Sequence, residues 1–386
     1  MADLFSSLTL KDVTLRNRIA MSPMTMFSSG PDGAMTDWHM VHLGARAIGG
    51  AGLVICEQLA VAPEGRMTPQ CSGIWSDDHI PALRRVTEFI KAHGAVPGVQ
   101  LSHSGRKGSI NPPWEGYRQL PEDHPDAWEP IGPTSRPYGG PKHPRGGREA
   151  TLDDIERLKG DFAAGARRAE AAGFEWAEMH YAHGFLGASF FSPLANGRDD
   201  GYGGSLEGRS RFLVETFDAV RAVWPERLPL TMRIGATDFH PDSHGVEDTI
   251  WLAATLKEHG LDLVDISMGG NADVAGAVPW NERGFMVPAA ARVRREAGIP
   301  TGVSWNLADP AYADDVVRSE TADLVLVGRP ILENPHWPLL AALTLGRASP
   351  YEIMPTQYQH ALARPRDLVN CGGFGPIARR EVPASN

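Results

Sequence analysis

Short apolar and β-branched runs alternate with longer amphipathic stretches along this chain, the pattern of a parallel sheet with helical crossovers. Eight candidate strands lie near Asn17 to Met24, Ala51 to Cys56, Val96 to Leu101, Trp176 to His180, Leu228 to Ile234, Leu263 to Ser267, Pro300 to Val303 and Leu324 to Val327. Helices are predicted between them over Asp37 to Ile48, His79 to His93, Leu152 to Ala172, Leu206 to Val223, Val246 to His259, Pro288 to Ala297 and Pro310 to Arg318. The first three follow Thr36, Asp78 and Thr151, side chains able to cap free N–H groups, while Gly260 and Gly298 stand where a C-terminal cap ends a helix. In the third helix Ile155, Phe162, Ala166 and Ala169 mark one face and Asp154, Glu156, Lys159 and Arg168 the other, so it should pack on the outside of a barrel. The fold class expected is α/β, a (β/α)8 TIM barrel.

Two stretches break the alternation. Residues 110–148 are crowded with Pro, Gly and Trp and follow the third strand at its C-terminal end, where long loops carry function, so a capping insertion over a pocket is expected. After Ser349 the tail, with Pro365 and Cys371-Gly372-Gly373-Phe374-Gly375, reads as an irregular extension that folds onto a neighbouring subunit. The division expected is a barrel over 1–348, including the insertion, and an extension over 349–386.

A hydrophobic fraction of 42 % and a charged fraction of 22 % over 386 residues suit one large globular domain with a sizeable core. The 37 basic and 47 acidic side chains give a formal charge of -10, which argues against nucleic acid or an anionic membrane and for a small ligand. Cys56, Cys71 and Cys371 are too few and too scattered for a disulfide framework or an iron–sulfur motif, which suits a reducing cytoplasm. No signal peptide and no membrane span are read, since Met1-Ala2-Asp3-Leu4-Phe5 lacks a basic region before an apolar one and no apolar run reaches about 18 residues.

The candidate chemistry gathers at strand ends, where a barrel collects its active-site groups. Pro23, Met24, Thr25 and Phe27 follow the first strand, Glu57 and Gln58 the second, and Gln100, His103, Arg106 and Lys107 the third. The fourth delivers His180 and His183, two imidazoles able to donate to a developing oxyanion, and the fifth delivers Arg233. A polar pair filling a loop is the plainer account of the two His; a metal site is not expected, because no third ligand stands at metal-binding spacing. Gly302-Val303-Ser304-Trp305 and Gly328-Arg329-Pro330 follow the last two strands, where loops bind phosphate, although ordinary turns with a surface Arg would read the same.

From Leu4 to about Leu343 the chain resembles the Old Yellow Enzyme family of flavin mononucleotide (FMN)-dependent oxidoreductases, particularly its thermostable-like branch. The matching pieces are Leu15-Arg16-Asn17-Arg18-Ile19, Met21-Ser22-Pro23-Met24, Gln100 to Arg106, the signature from His180 to Gly204, Arg233-Ile234-Gly235 and Asp323 to Arg329. The resemblance implies noncovalent FMN, reduced by NADPH or NADH, in a cytoplasmic homo-oligomer, a dimer or tetramer. It implies that Pro23, Met24 and Thr25 line the flavin ring, that Gln58 and Gln100 meet its pyrimidine side, and that Arg233 sits against N1 and the C2 carbonyl. Trp305, Gly328 and Arg329 would hold the phosphate; His180 and His183 would grip an oxygen of an activated alkene, quinone or nitro acceptor; Phe27, Tyr181 and Phe185 would line the substrate.

The chain also departs from the family. The Tyr that protonates carbon opposite the hydride stands two positions after the second His, and here that position is Phe185, which has no proton to give. Thr25 and Phe27 replace a Cys and a Tyr, and Gln357-Tyr358 is followed by Gln359 and His360 rather than an Arg that reaches into a neighbour's site, although Arg364 is close. Enone reduction is therefore expected to be limited by protonation unless Tyr181 supplies the proton, with quinones and nitro compounds comparatively good acceptors. Outward chemistry, as a dehydrogenase or a redox-neutral double-bond isomerase, and a non-catalytic flavin-binding scaffold are the competing readings.

Overall fold

A computed structural model describes residues 2–140, 142–272 and 276–362. Eight parallel strands close a barrel: β1 (Ile19–Met21), β2 (Leu53–Ala60), β3 (Val96–Ser102), β4 (Trp176–Tyr181), β5 (Leu230–Gly235), β6 (Leu263–Ser267), β7 (Thr301–Val303) and β8 (Leu324–Val327). Each pairs with its sequence neighbour, and β8 closes on β1 through Val325 opposite Ile19. The strands are apolar and buried along nearly their whole length, because both faces are covered, by barrel interior on one side and helices on the other. The (β/α)8 expectation holds, and the strand centres lie where the apolar runs placed them.

The outer helices run over Asp37–Ile48, Ile80–Ala92, Leu152–Ala171, Leu206–Arg221, Val246–Glu258, Val287–Glu296 and Pro310–Arg318. Thr151 caps the third as expected: its Oγ1 accepts from Asp154 N–H at 3.1 Å while the Asp154 carboxylate accepts from Thr151 N–H at 3.0 Å. Gly260 and Gly298 follow their helices in the left-handed region, φ +96° and +63°. Two caps differ from expectation. The Thr36 hydroxyl donates to Ser28 O and the His39 ring accepts from Thr36 N–H instead. Asp78 lies inside a short 3-10 turn, Asp77–His79, opened by Ser76, whose Oγ accepts from Asp78 N–H at 3.2 Å.

Arg16, Asn17 and Arg18 act away from the strand C-terminal ends. Arg16 donates to Ala47 O, Ala51 O and His93 O, Asn17 Nδ2 to Gly50 O and Arg18 to Asp323 O, fastening the start of β1 to its neighbours.

The insertion after β3 carries a 3-10 turn, Pro113–Glu115, and two short strands, Ile131–Gly132 and Arg148–Glu149. Arginines tie it to the barrel. Arg198 donates to Pro133 O (2.9 Å) and Ala150 O (2.7 Å), Arg106 to Pro137 O (3.1 Å) and Arg136 to Leu194 O (3.0 Å). Beyond Ser349, read as irregular, the described residues form a 3-10 turn, Pro350–Ile353, and a helix, Thr356–Leu362. Arg364, Pro365 and Cys371 to Gly375 lie outside the described residues.

Candidate active site

Alternation along each strand decides what reaches the barrel mouth. Strand pairing sets Gln58 opposite Gln100, Gln100 opposite Glu178, His180 opposite Arg233, and Arg233 opposite Asp265. The register of β2 shifts between Ile55 and Gln58. Beside this bulge Glu57 bonds the His39 ring at 2.9 Å and accepts from Met26 N–H at 3.1 Å. Glu57 thereby holds the loop that carries Pro23, Met24, Thr25 and Phe27.

The same alternation corrects the expectation for Tyr181. Trp176, Glu178 and His180 share the inward face of β4, so Met179 and Tyr181 point towards the helices. The Tyr181 ring packs 6.0 Å from Phe162 and 6.4 Å from Phe212, and its hydroxyl faces Thr216. It lines neither cavity at the mouth.

His180 and His183 form the head of a hydrogen-bonded chain. His183 Nδ1 lies 3.3 Å from His180 Nε2, and His183 Nε2 lies 2.7 Å from Ser267 Oγ, which accepts from Trp305 Nε1 at 2.8 Å. His180 Nδ1 is buried with no partner. Burial first, then the positive field of Arg233, holds both imidazoles well below the usual histidine range, so they are neutral near pH 7. His183 sits in the left-handed region at φ +58°, and a Cβ on the following Gly184 would stand 2.2 Å from Gly270 O. Glycine there lets the chain turn and keeps the second imidazole over the first.

Below this pair lies a buried charge ladder. Gln100 Nε2 donates to Glu178 Oε1 at 2.7 Å, while Arg233 Nε meets Asp265 at 2.9 Å and Arg233 Nη2 donates to Ser304 Oγ at 2.8 Å. Burial, with Asp265 nearby, pushes Glu178 up to about 8. The folded chain therefore takes up a proton that the unfolded chain, near 4.5, does not. Relative to Glu178→Gln, the apoprotein should gain stability as the pH falls from about 8 towards 4.5, by about 1.4 kcal/mol per pH unit. Denaturant unfolding of both proteins across that range checks this; a constant difference would mean Glu178 stays ionised.

Two adjoining cavities share Pro23, His183 and Arg233. The smaller, about 270 Å³, is lined by Thr25, Phe27, Gln58, Gln100, His180 and Phe185. The larger, about 380 Å³, runs past Met24, Ser304 and Trp305 to Gly328 and Arg329. Apart from Tyr181, every residue that the family resemblance placed at the flavin, the phosphate or the acceptor thus lines one elongated space, whereas Glu57, His103 and Arg106, also marked at strand ends, line neither cavity. Its chemistry fits a flat ring carrying amide-like donors and acceptors, with an anionic tail: both polar atoms of the Gln58 amide are buried without partners, Arg233 stands between the cavities, and Arg329 is at the far end.

Other marked residues serve as braces. Asn196 Nδ2 donates to Phe190 O and Tyr202 O, and Arg198 bonds Asp200 as well as the insertion, so most of the signature after Gly184 is scaffolding. Arg106 holds Asn271 O at 2.6 Å. Sequence reasoning missed Tyr117, Met67 and Ser267, named Ser304 only as part of a phosphate-binding loop, and gave Lys107 no role. Ser267 was recoverable, because it shares the parity of Asp265 on a strand placed correctly; Tyr117 lies in the irregular insertion, where periodicity carries no signal. Among the described residues no helix is long and apolar enough to cross a membrane.

Comparison with known proteins agrees with this geometry. Residues 3–345 match the family model described as NADH:flavin oxidoreductase / NADH oxidase family. An NADPH dehydrogenase of Geobacillus sp. (strain WCH70) is 43 % identical over 347 residues, covering 89 % of this chain and 94 % of that protein. Morphinone reductase in complex with tetrahydroNAD superimposes with a TM-score of 0.74 at 27 % identity, covering 89 % of this chain and 91 % of that one. A 2-naphthoyl-CoA reductase complexed with 2-naphthoyl-CoA gives a TM-score of 0.80 at 25 % identity over 91 % of this chain, which spans about half, 53 %, of that longer protein.

Proposed function

The chain belongs to the NADH:flavin oxidoreductase / NADH oxidase family and is an NAD(P)H-dependent FMN oxidoreductase of the Old Yellow Enzyme kind; from that premise we propose that it reduces a small organic acceptor whose carbonyl, nitro or carboxyl oxygen is held by His180 and His183. The observation that carries this reading is the pair of neutral, buried imidazoles in the smaller cavity, with His180 Nδ1 left without a partner beside Arg233. Neutral imidazoles keep N–H donors for an acceptor oxygen without repelling the cation of Arg233.

Pro23, Met24 and Thr25 would hold the ring of FMN, Gln58 and Gln100 its polar edge, and Arg233 the negative charge that collects there on reduction. Ser304, Trp305, Gly328 and Arg329 would hold the phosphate end. When bound, the flavin supplies two-electron hydride transfer in both half-reactions. Phe27 and Phe185 line the acceptor side and keep water from the oxygen between the His, which strengthens bonds to a developing negative charge.

The test is a panel of enones, quinones, nitro compounds and enoyl thioesters mixed anaerobically with prereduced protein. At least one class should reoxidise the flavin. Bleaching of the oxidised protein by saturated ketones without nicotinamide, and no reoxidation by the panel, would place the chain among dehydrogenases instead.

A further inference from the structure

Reducing a carbon–carbon double bond needs a proton as well as a hydride, and the described cavity walls narrow its source. Phe185 is apolar and lies 4.7 Å from the His180 ring. Tyr181 is on the other side of the strand. The two imidazoles are neutral; three of their ring nitrogens are turned to each other and to Ser267, and the fourth, His180 Nδ1, is the donor assigned above to the acceptor oxygen. One phenol is among the residues lining the acceptor cavity: Tyr117, from the insertion.

The insertion is built so that this side chain is directed inward. Gly116 and Tyr117 are consecutive left-handed residues, φ +106° and +56°. A bulky residue in that region is strained by about 1–3 kcal/mol and persists only where its surroundings over-determine it. Here they do. Asn111 N–H donates to Arg118 O, Asn111 Oδ1 accepts from Arg118 N–H at 2.6 Å, and Asn111 Nδ2 donates to Glu115 O at 2.7 Å, closing the turn from 111 to 118. Trp114 at the tip packs edge-on against Phe27, 5.9 Å away. The Tyr117 ring then packs with Phe27 against a small apolar cluster of Met67, Cys71, Ile110 and Phe185. The ring thus joins the cluster that holds Phe185, the side chain without a proton to give.

We propose that Tyr117 is the general acid of this enzyme, giving its phenolic proton to the α-carbon of an activated alkene held by His180 and His183. This rests on the function proposed above. The β-carbon receives a hydride, the α-carbon takes the Tyr117 proton, and the double bond becomes two C–H bonds at the expense of one NAD(P)H. The phenolate regains its proton from solvent. Burial pushes the phenol of Tyr117 up, so it is protonated throughout the neutral range. Lys107 also lines the cavity, and burial pushes it down to about 7, but its ammonium is held by His183 O at 2.6 Å and lies over the Tyr138 ring.

The test compares holoenzyme carrying Tyr117→Phe with wild type. Reoxidation of the reduced protein by cyclohexenone should slow by about 10²-fold or more, the range for loss of a general acid. Reoxidation by benzoquinone should be unchanged, and cyclohexenone should perturb the oxidised flavin spectrum with the same Kd in both proteins. Wild-type enone rates in Tyr117→Phe would overturn the proposal, all the more if the rate fell as pH rose through about 7, which would assign the proton to Lys107. Equal slowing with enone and quinone, or a weakened Kd, would also overturn it, by showing that Tyr117 only packs. A wild type reoxidised by quinones but not by enones removes this proposal alone; a wild type reoxidised by no acceptor removes the function on which it rests.

Discussion

His180→Ala and His183→Ala should each slow reoxidation of the reduced protein by a carbonyl acceptor by about 10²-fold, the usual effect of removing one donor to a developing oxyanion. Reduction by NADPH should be less affected, because hydride delivery into the flavin needs no oxyanion contact. Both variants should fall together. His183 Nδ1 faces His180 Nε2, and His183 is in turn positioned by Ser267, so deleting His183 leaves His180 without a ring partner and deleting His180 leaves His183 held by Ser267 alone. Rapid anaerobic mixing separates the two half-reactions. Wild-type rates with the acceptor in both variants would make the imidazoles structural.

Arg233→Ala should be the most damaging single change to cofactor retention. The guanidinium is buried between the two cavities and, among the described residues, is the one Arg that lines both. Without it the protein should retain less FMN through dialysis, and what remains should have a lower reduction potential, since reduction would place negative charge in a site without a counter-ion. A second effect comes from Asp265, which Arg233 meets at 2.9 Å and which burial already pushes up to about 6. Stranding a buried carboxylate costs about 3–5 kcal/mol of stability. Adding Asp265→Asn should recover most of that stability without recovering flavin. If the double variant binds FMN as wild type does, the role of Arg233 is confined to folding.

Much of this was legible in the sequence because the barrel repeats one simple rule. Apolar runs gave β6 and β8 to the residue, and the order of polar residues at strand ends gave the cavity walls. What failed depended on direction rather than on position. Tyr181 is one residue from His180, and in a strand that single step exchanges barrel mouth for helix layer. At Thr36 the helix start is as expected but the hydroxyl turns to Ser28 O while the His39 ring takes the Thr36 N–H, and at Asp78 the capping acceptor is instead Ser76 Oγ. The signature after His183 works in a different way. Asn196, Arg198 and Asp200 lie in the stretch that carried the family resemblance, yet they brace it: Asn196 ties Phe190 O to Tyr202 O, and Arg198, held by Asp200, reaches Pro133 O in the insertion.

Tyr117 marks the limit of pattern reading. No periodicity points to a residue in a turn closed by Asn111, and its approach to Phe185 depends on strand, cap and loop together. The expectation that enone reduction is limited by protonation rested on Phe185, with Tyr181 as the one side-chain substitute considered. The structure brings a phenol into the same cavity from a segment about 70 residues earlier.

The central claim is that one cavity at the barrel mouth takes electrons from NAD(P)H and gives them to an acceptor at the His pair. Sequential anaerobic mixing of the FMN-loaded protein tests it most directly, NADPH first and then the acceptor, with flavin absorbance followed throughout. The account predicts bleaching by NADPH, stable until the acceptor arrives, then recovery whose rate is lowered about 10²-fold by His180→Ala. Protein that binds no FMN, or bound FMN that NADPH leaves oxidised, would contradict it.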